Sequence, residues 1–172
     1  EYVIKNIHSL VLINRPEDKG SYRKIPVRII GAFTEPVQPY MIEPKMTELL
    51  SKNEERKSKM TDIERIALFH LEFEGIHPFI DGNGRMGRLW QSLILTKLHP
   101  LFQHLPVENM VYANQQAYYD AIAESSRRGN SGPFIDFMLG EILRTLKSHQ
   151  GEALDVGENV GINNKEKEIM TV

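Results

Sequence analysis

The chain has 172 residues, of which 41% are hydrophobic and 26% are charged, as expected of one globular domain with a core of its own. Its formal net charge of −2 argues against a general nucleic-acid-binding protein, which normally carries a basic surplus. The sequence contains no cysteine, which excludes disulfides and thiolate chemistry and fits a reducing, cytoplasmic location. No apolar run approaches membrane-spanning length, so no membrane partner is expected.

The first quarter of the sequence predicts a helix followed by a small β element. Apolar residues recur at helical spacing over residues 2–13, and the turn-forming run 14–20 ends that pattern. The β-branched stretch 25–33 and the extended stretch 40–42 enclose two prolines. We therefore predict a small β-hairpin, or flap, in this region.

The middle of the sequence is helical in character. A charged, amphipathic segment covers residues 44–57, and Thr61 and Glu64 have the spacing of a capping box at the start of the next helix. Pro78 ends that helix. A further helix beginning near Arg85 carries so broad an apolar surface that we predict it to be central and buried.

Two more helices complete a mostly α-helical domain over residues 1–150. The first covers 115–127 and the second, capped by Ser131, is long and amphipathic. Glycine and asparagine then become frequent, and a four-residue pattern repeats. Residues 151–172 are therefore predicted to form a linker or mobile tail, with an ordered surface loop as the alternative.

The chemistry is concentrated in residues 77–88, between two predicted helices. Free N–H groups and the positive end of the helix dipole meet at the start of the second helix. Gly82 and Gly84 flank Asn83 and permit a backbone nest that wraps an anion. A loop of this kind at a helix N-terminus is typical of phosphate binding.

Charged residues around this nest indicate a transfer reaction. Arg85 and Arg88 are three residues apart, on one face of the first helical turns, and arginine forms bidentate hydrogen bonds with phosphate oxygens. Asp81 offers one hard oxygen ligand, which together with substrate phosphates is a usual way to hold Mg²⁺. His77 can accept a proton near neutral pH. The set predicts a phosphoryl or nucleotidyl transfer site.

These residues also allow other interpretations. The glycine-rich turn alone is more often structural than functional. A calcium loop fails because Arg85 occupies the third ligand position and Ser92 stands where a bidentate glutamate is needed. The spacing of a Walker P-loop is absent. A metal site using His70 and His77 stays open, although no other histidine is close in sequence.

The stretch closely resembles the signature of Fic-domain proteins, H-x-F-x-D/E-G-N-G-R-x-x-R. Every defined position matches, and the resemblance extends over about residues 2–148. It implies the Fic fold, a helical bundle with a small β-hairpin flap. It also implies a nucleotidyltransferase that moves AMP from Mg·ATP to a Tyr, Thr or Ser hydroxyl of a target protein. The matching positions are His77, Phe79, Asp81, Gly82, Asn83, Gly84, Arg85 and Arg88.

The resemblance assigns roles to the matching residues. His77 would be the general base, and Asp81 would hold Mg²⁺. The backbone of Gly82, Asn83 and Gly84 would line the anion hole for the α-phosphate, while Arg85 and Arg88 would clamp the β- and γ-phosphates. Phe79 would anchor the loop in the core.

Two regions outside the signature also have Fic counterparts. The adjacent Tyr118 and Tyr119 would border the adenosine, with ordinary packing as the alternative for either one. Gly31 and Ala32 belong to the predicted flap, on which the target protein would pair as an added strand.

Regulation and partners follow from the same resemblance. An inhibitory helix or an antitoxin, a homodimer, and a nucleic-acid-binding domain downstream of the chain are all compatible with it. Because the first residue is Glu1, we expect segments beyond those present here. Glycine at Gly84 favours AMP transfer over kinase chemistry. Transfer of phosphate, UMP or phosphocholine, and a nucleotide-binding regulatory module without turnover, remain the alternatives.

Overall fold

A computed structural model describes residues 1–29, 35–104 and 107–148. Within these ranges the chain forms seven α-helices and two 3₁₀ turns, and no strand. The 3₁₀ turns cover Pro39–Met41 and Pro100–Gln103. None of the helices in the described ranges is long and apolar enough to cross a membrane. The helices are α1 (Tyr2–Val11), α2 (Ile42–Arg56), α3 (Asp62–Ile76), α4 (Asn83–Leu98), α5 (Val107–Ala113), α6 (Gln115–Arg128) and α7 (132–148).

Helix α3 lies between two hydrophobic clusters. On one side Phe69 and Phe73 pack with residues of α1, α2 and the start of α4. On the other side Ile66 and Ala67 pack with residues of the later helices, among them Phe134. The prediction of a mostly α-helical bundle is therefore confirmed, and α3 is the element that joins its two halves.

The predicted burial of α4 is wrong on one face. Leu89, Leu93 and Leu98 are 37%, 43% and 40% exposed, while Met86 and Leu95 are buried. The described residues cover α4 on the faces that pack on α1, α3, α5 and the 3₁₀ turn Pro100–Gln103, and leave these three leucines partly exposed. The apolar surface of this helix is broader than the described part of the chain can bury.

Local capping signals match the structure closely. Thr61 Oγ1 accepts a hydrogen bond from Glu64 N–H, and Thr61 N–H donates to the Glu64 carboxylate, which confirms the capping box. At α7, the carbonyl of Ser131 accepts the first helical hydrogen bond, from Ile135. The side chains that accept from N–H groups there, however, are those of Asn130 and Ser125.

The region between α1 and α2 differs in part from its prediction. The expected extended stretch 40–42 instead belongs to a 3₁₀ turn and to the first residue of α2. Residues 21–29 and 35–38 have no regular secondary structure. Gly31 and Ala32 lie outside the described residues, as does the 151–172 tail. The hairpin and the tail therefore stay predictions.

Candidate functional site

The signature residues form a short loop between the end of α3 and the start of α4. His77 ends α3 with φ 51° and ψ 61°, a left-handed conformation that is uncommon for a residue other than glycine. Gly82 takes φ 82° at the N-cap of α4, a conformation that suits glycine. The C-terminus of one helix and the N-terminus of the next are thus joined by six residues, 77–82, with a left-handed residue at each end.

Phe79 anchors this loop in the core. Its side chain is fully buried and stacks on the ring of His8, with ring centroids 3.6 Å apart. The Asn83 side chain closes the loop from within, because it accepts from Phe79 N–H and donates to the Phe79 carbonyl, each at 2.9 Å. The side-chain amide of Asn83 is therefore fully used in hydrogen bonds within the loop, and only the backbone N–H of Asn83 is available to a ligand.

His8 fixes the position of Asp81 from outside the signature. Its Nδ1 accepts a hydrogen bond from Gly20 N–H, so its Nε2–H donates to the Asp81 carbonyl, both at 2.9 Å. Burial lowers the pKa of His8 and favours this neutral form. The sequence offers one signal, which is that His8 lies four residues after Ile4 on the buried face of α1.

The Asp81 carboxylate is surrounded by donors. One oxygen accepts from Gly82 N–H at 2.6 Å and lies 3.3 Å from Arg85 Nη2, while the other accepts from Arg15 at 3.2 Å. Desolvation would raise the pKa of Asp81, but the Gly82 hydrogen bond and the two arginines outweigh it and lower the pKa. Asp81 is therefore ionised at neutral pH, and Arg15 is a second cation that the sequence patterns did not reveal.

Arg88 is held by a carboxylate from α5. Its Nε lies 2.5 Å and its Nη2 3.0 Å from the two oxygens of Glu108, a bidentate ion pair. Gly84 leaves space for this side chain, because a Cβ there would lie 2.9 Å from Arg88 Nη1. Glu108 was not among the predicted site residues, and it occupies the guanidinium face that a phosphate would use.

A buried polar chain lies behind Arg88. His70 Nδ1–H donates to the side-chain oxygen of Gln91, so His70 Nε2 accepts from the Tyr118 hydroxyl, each at 2.8 Å. Burial lowers the pKa of His70 to about 4, which keeps the ring neutral. With both ring nitrogens engaged, His70 offers no metal ligand. The structure thus argues against the His70–His77 metal site.

The two tyrosines occupy different environments. Tyr118 is 1% exposed and packed in the core, whereas Tyr119 is 52% exposed. Their rings contact each other edge to face, with centroids 5.2 Å apart. Of the pair, only Tyr119 presents its ring to a ligand in solution.

The His77 imidazole is largely buried and lies 3.7 Å from the carboxylate of Glu74. Desolvation lowers the pKa of His77, the interaction of its ring N–H with the backbone carbonyl of Glu74 raises it, and the Arg23 guanidinium lowers it further. The net direction is downward, so the imidazole is neutral near pH 7. Burial also raises the pKa of Glu74 to about 7, although the charge of Arg88 opposes that shift.

The site therefore brings most of the predicted residues together. His77 and Asp81 lie on the loop and Arg85 lies in the first turn of α4. The N–H groups of residues 83–85 precede the first helical hydrogen bond, which runs from Met86 N–H to the Gly82 carbonyl. Among the described residues, no cluster of three or more His, Asp or Glu could hold a metal by itself. Asp81 carries the single carboxylate of the loop 77–82, and Gly31 and Ala32 lie outside the described residues.

These features define an α-helical domain in which the loop 77–82 joins the end of α3 to the start of α4. The Fic/DOC family model matches residues 1–95, which is more than half of the chain. The chain therefore belongs to the Fic/DOC family. Among solved structures, a Fic family protein from Desulfovibrio desulfuricans G20 superposes with a TM-score of 0.80 at 32% identity, covering 88% of this chain and 47% of that one.

Other relatives agree with this assignment. The protein adenylyltransferase fic-1 of Caenorhabditis briggsae is 31% identical over 95% of this chain and 31% of its own length. The Fic-1 structure from Caenorhabditis elegans has a TM-score of 0.70 at 25% identity, covering 90% of this chain and 44% of that one. The chain thus spans about a third of the length of the curated Caenorhabditis briggsae relative and less than half of each of these two solved chains.

Proposed function

We propose that this domain transfers AMP from Mg·ATP to a Tyr, Thr or Ser hydroxyl of a protein, with release of pyrophosphate. The observation that carries the proposal is the loop 77–82. It places a neutral histidine, an ionised aspartate and the N-terminus of α4 side by side, with Arg85 and Arg88 on the same helix. Relatives over most of the chain are named protein adenylyltransferases, which supports the same reaction.

His77 acts as the general base. Its lowered pKa leaves the imidazole unprotonated at neutral pH, so it takes the proton of the target hydroxyl. The hydroxyl oxygen then forms a bond to the α-phosphorus, the bond from that phosphorus to the β-phosphate oxygen breaks, and pyrophosphate leaves. Phe79 and Asn83 hold the loop rigid, which keeps the base in place.

The residues of the site fit Mg²⁺ only when it is bound together with nucleotide. Asp81 is half-exposed, ionised and the single carboxylate on the loop, and one carboxylate plus substrate phosphates is a usual Mg²⁺ environment. The metal supplies charge neutralisation at the phosphates. To hold that ion, Asp81 would exchange its contacts with Arg15 and Arg85, and both guanidinium groups would then be available to phosphate oxygens.

The α4 N-terminus forms the anion hole in this proposal. Backbone N–H groups at the start of the helix, including those of Asn83 and Gly84, bind the α-phosphate, aided by the positive end of the helix dipole. Arg85 contacts the β-phosphate. Arg88 contacts the γ-phosphate once Glu108 releases it, and Tyr119 stacks on the adenosine.

The target protein is expected to pair with the flap as an added strand. Two described residues of that segment, Ile25 and Val37, are both tied to the loop that carries His77, because Arg23 donates to their carbonyls and to that of His77. A strand added there would bring its hydroxyl close to the base. Regulation by an inhibitory helix or an antitoxin, and formation of a homodimer, are likewise proposals that follow from the family.

The test is the intact mass of the protein after incubation with Mg·ATP and a generic protein acceptor. We expect a gain of about one AMP unit on the chain or the acceptor, absent in His77→Ala. A gain of one phosphate would instead establish kinase chemistry. ATP binding without any modification, in the presence of a cognate target, would favour a regulatory module without turnover. No ATP binding at all would refute the enzymatic proposal.

A further inference from the structure

Arg23 is a buried cation in the loop that follows α1. Its residue is 3% exposed, and burial lowers the pKa of its guanidinium. In the described part of the chain no carboxylate is paired with it, which makes it unlike Arg65, the other buried arginine, which contacts Asp62. A buried charge without an opposite charge is costly unless its donors are satisfied in another way.

The guanidinium is satisfied by four backbone carbonyls that come from three places in the chain. Nε donates to the His77 carbonyl at 2.7 Å, and Nη2 lies 3.4 Å from that of Ile76, both at the C-terminal end of α3. Nη1 donates to Ile25 at 3.0 Å, and Nη2 donates to Val37. The backbone N–H of Arg23 adds a 2.9 Å bond to the Pro78 carbonyl.

This arrangement places the cation where the α3 dipole is negative and where His77 adopts its left-handed backbone. Such a conformation persists in a residue with a side chain only when its surroundings hold it. The planar guanidinium of arginine carries its donors on three separate nitrogens in a fixed geometry, whereas the three donors of lysine share one nitrogen.

We propose that Arg23 is a positioning residue for the transfer reaction, fixing the backbone of His77 relative to Ile25 and Val37 through one guanidinium group. The inference rests on the proposed role of His77 as the base. Arg23 touches no substrate in this scheme, and it acts through the orientation of His77 and of the two segments on which the target would pair.

Electrostatics gives the proposal a second observable. The charged groups that face His77 are Glu74 from α3 and Arg23 from the loop after α1. Arg23 opposes protonation of His77, so loss of its charge raises the pKa of His77 and moves the acidic limb of the pH–rate profile to higher pH. Arg23→Lys keeps the positive charge and loses the planar guanidinium group, whereas Arg23→Met loses both.

The experiment compares Arg23→Lys and Arg23→Met with Arg65→Met, which removes a buried arginine at the other end of α3. We expect kcat for AMP transfer to fall about 10- to 100-fold in both Arg23 variants, with KM for ATP nearly unchanged. The acidic limb should move upward in Arg23→Met and stay in place in Arg23→Lys. Equal kcat and equal profiles in Arg23→Lys and Arg65→Met would overturn the proposal.

A measurement without turnover separates this inference from the proposed function. The imidazole resonance of His77 can be titrated by NMR in each variant, whether or not the wild-type protein transfers AMP. A changed chemical shift in Arg23→Lys, and an upward shift of the titration midpoint in Arg23→Met, would support the positioning role even if the reaction were another. Resonances of His77 identical to wild type in both variants would refute it.

Discussion

The ion pair between Arg88 and Glu108 gives the sharpest prediction about nucleotide binding. If Arg88 contacts the γ-phosphate of ATP, the phosphate has to displace the Glu108 carboxylate, because both need the same two donors of the guanidinium. Glu108→Gln removes the negative charge and nearly keeps the shape of the side chain. ATP should then bind more tightly, since a competitor within the protein has been weakened.

The magnitude follows from the exposure of the pair. The Arg88 side chain is 14% exposed, but that of Glu108 is 56% exposed, so solvent screens the attraction. Pairs of this kind contribute about 0.2–1 kcal/mol, and the bidentate geometry favours the upper end of that range. Because about 1.4 kcal/mol corresponds to a tenfold change in Kd, the expected gain in ATP affinity is about two- to fivefold.

Isothermal titration of Mg·ATP and of AMP tests this directly. Affinity for ATP should rise in Glu108→Gln, whereas affinity for AMP, which has no γ-phosphate, should not change. Glu124→Gln is the matched control, because Glu124 also binds arginines on the surface but pairs with Arg127 and Arg128 on α6. Weaker ATP binding in Glu108→Gln would refute the reasoning and show that Glu108 orients Arg88 for the phosphate.

Four further predictions concern the base, the metal and the fold. His77→Ala should lower AMP transfer by about 10²- to 10⁴-fold with little change in the Kd of ATP, measured by single-turnover kinetics and titration. Because the pKa of His77 is lowered from 6.5, the acidic limb of kcat/KM should lie below pH 6.5, and a midpoint above that value would contradict the assigned base. Asp81→Asn should raise the Mg²⁺ concentration needed for half-maximal activity, since one charged ligand is lost. Thr61→Ala should lower the free energy of unfolding by about 1 kcal/mol in urea and leave transfer unchanged, because the capping box lies at the far end of α3.

The parts of the site that could be predicted from the sequence are those that depend on residues close to one another along the chain. The loop 77–82, its position between two helices and the capping box at Thr61 each depend on residues within a few positions of one another. Turn and capping preferences act over that range and can be read directly. Burial of Phe79 followed from the same local reasoning combined with the family signature.

The parts that were missed depend on contacts between distant residues. His8 contacts Asp81 across 73 positions and Arg15 contacts it across 66, while Arg23 reaches His77 across 54. Nothing in the local pattern around an arginine or a histidine states which carbonyl or carboxylate it will meet. The overestimated burial of α4 has the same origin, since periodicity shows that Leu89 and Leu93 are apolar but not whether another element covers them.

The three arginines around the loop and Asp81 already have partners of opposite charge within the protein. Arg15 and Arg85 contact Asp81, and Arg88 contacts Glu108. Ligand binding is therefore an exchange of ion pairs, and its net free energy is the difference between the pairs formed and those broken. Asp81 can bind a cation at low cost only if phosphate groups take over the ion pairs that it makes with Arg15 and Arg85. Conversely, these arginines can leave Asp81 for phosphate at low cost only if a cation replaces them at the carboxylate. Nucleotide and Mg²⁺ should consequently bind with positive coupling, each raising the affinity for the other by the same factor.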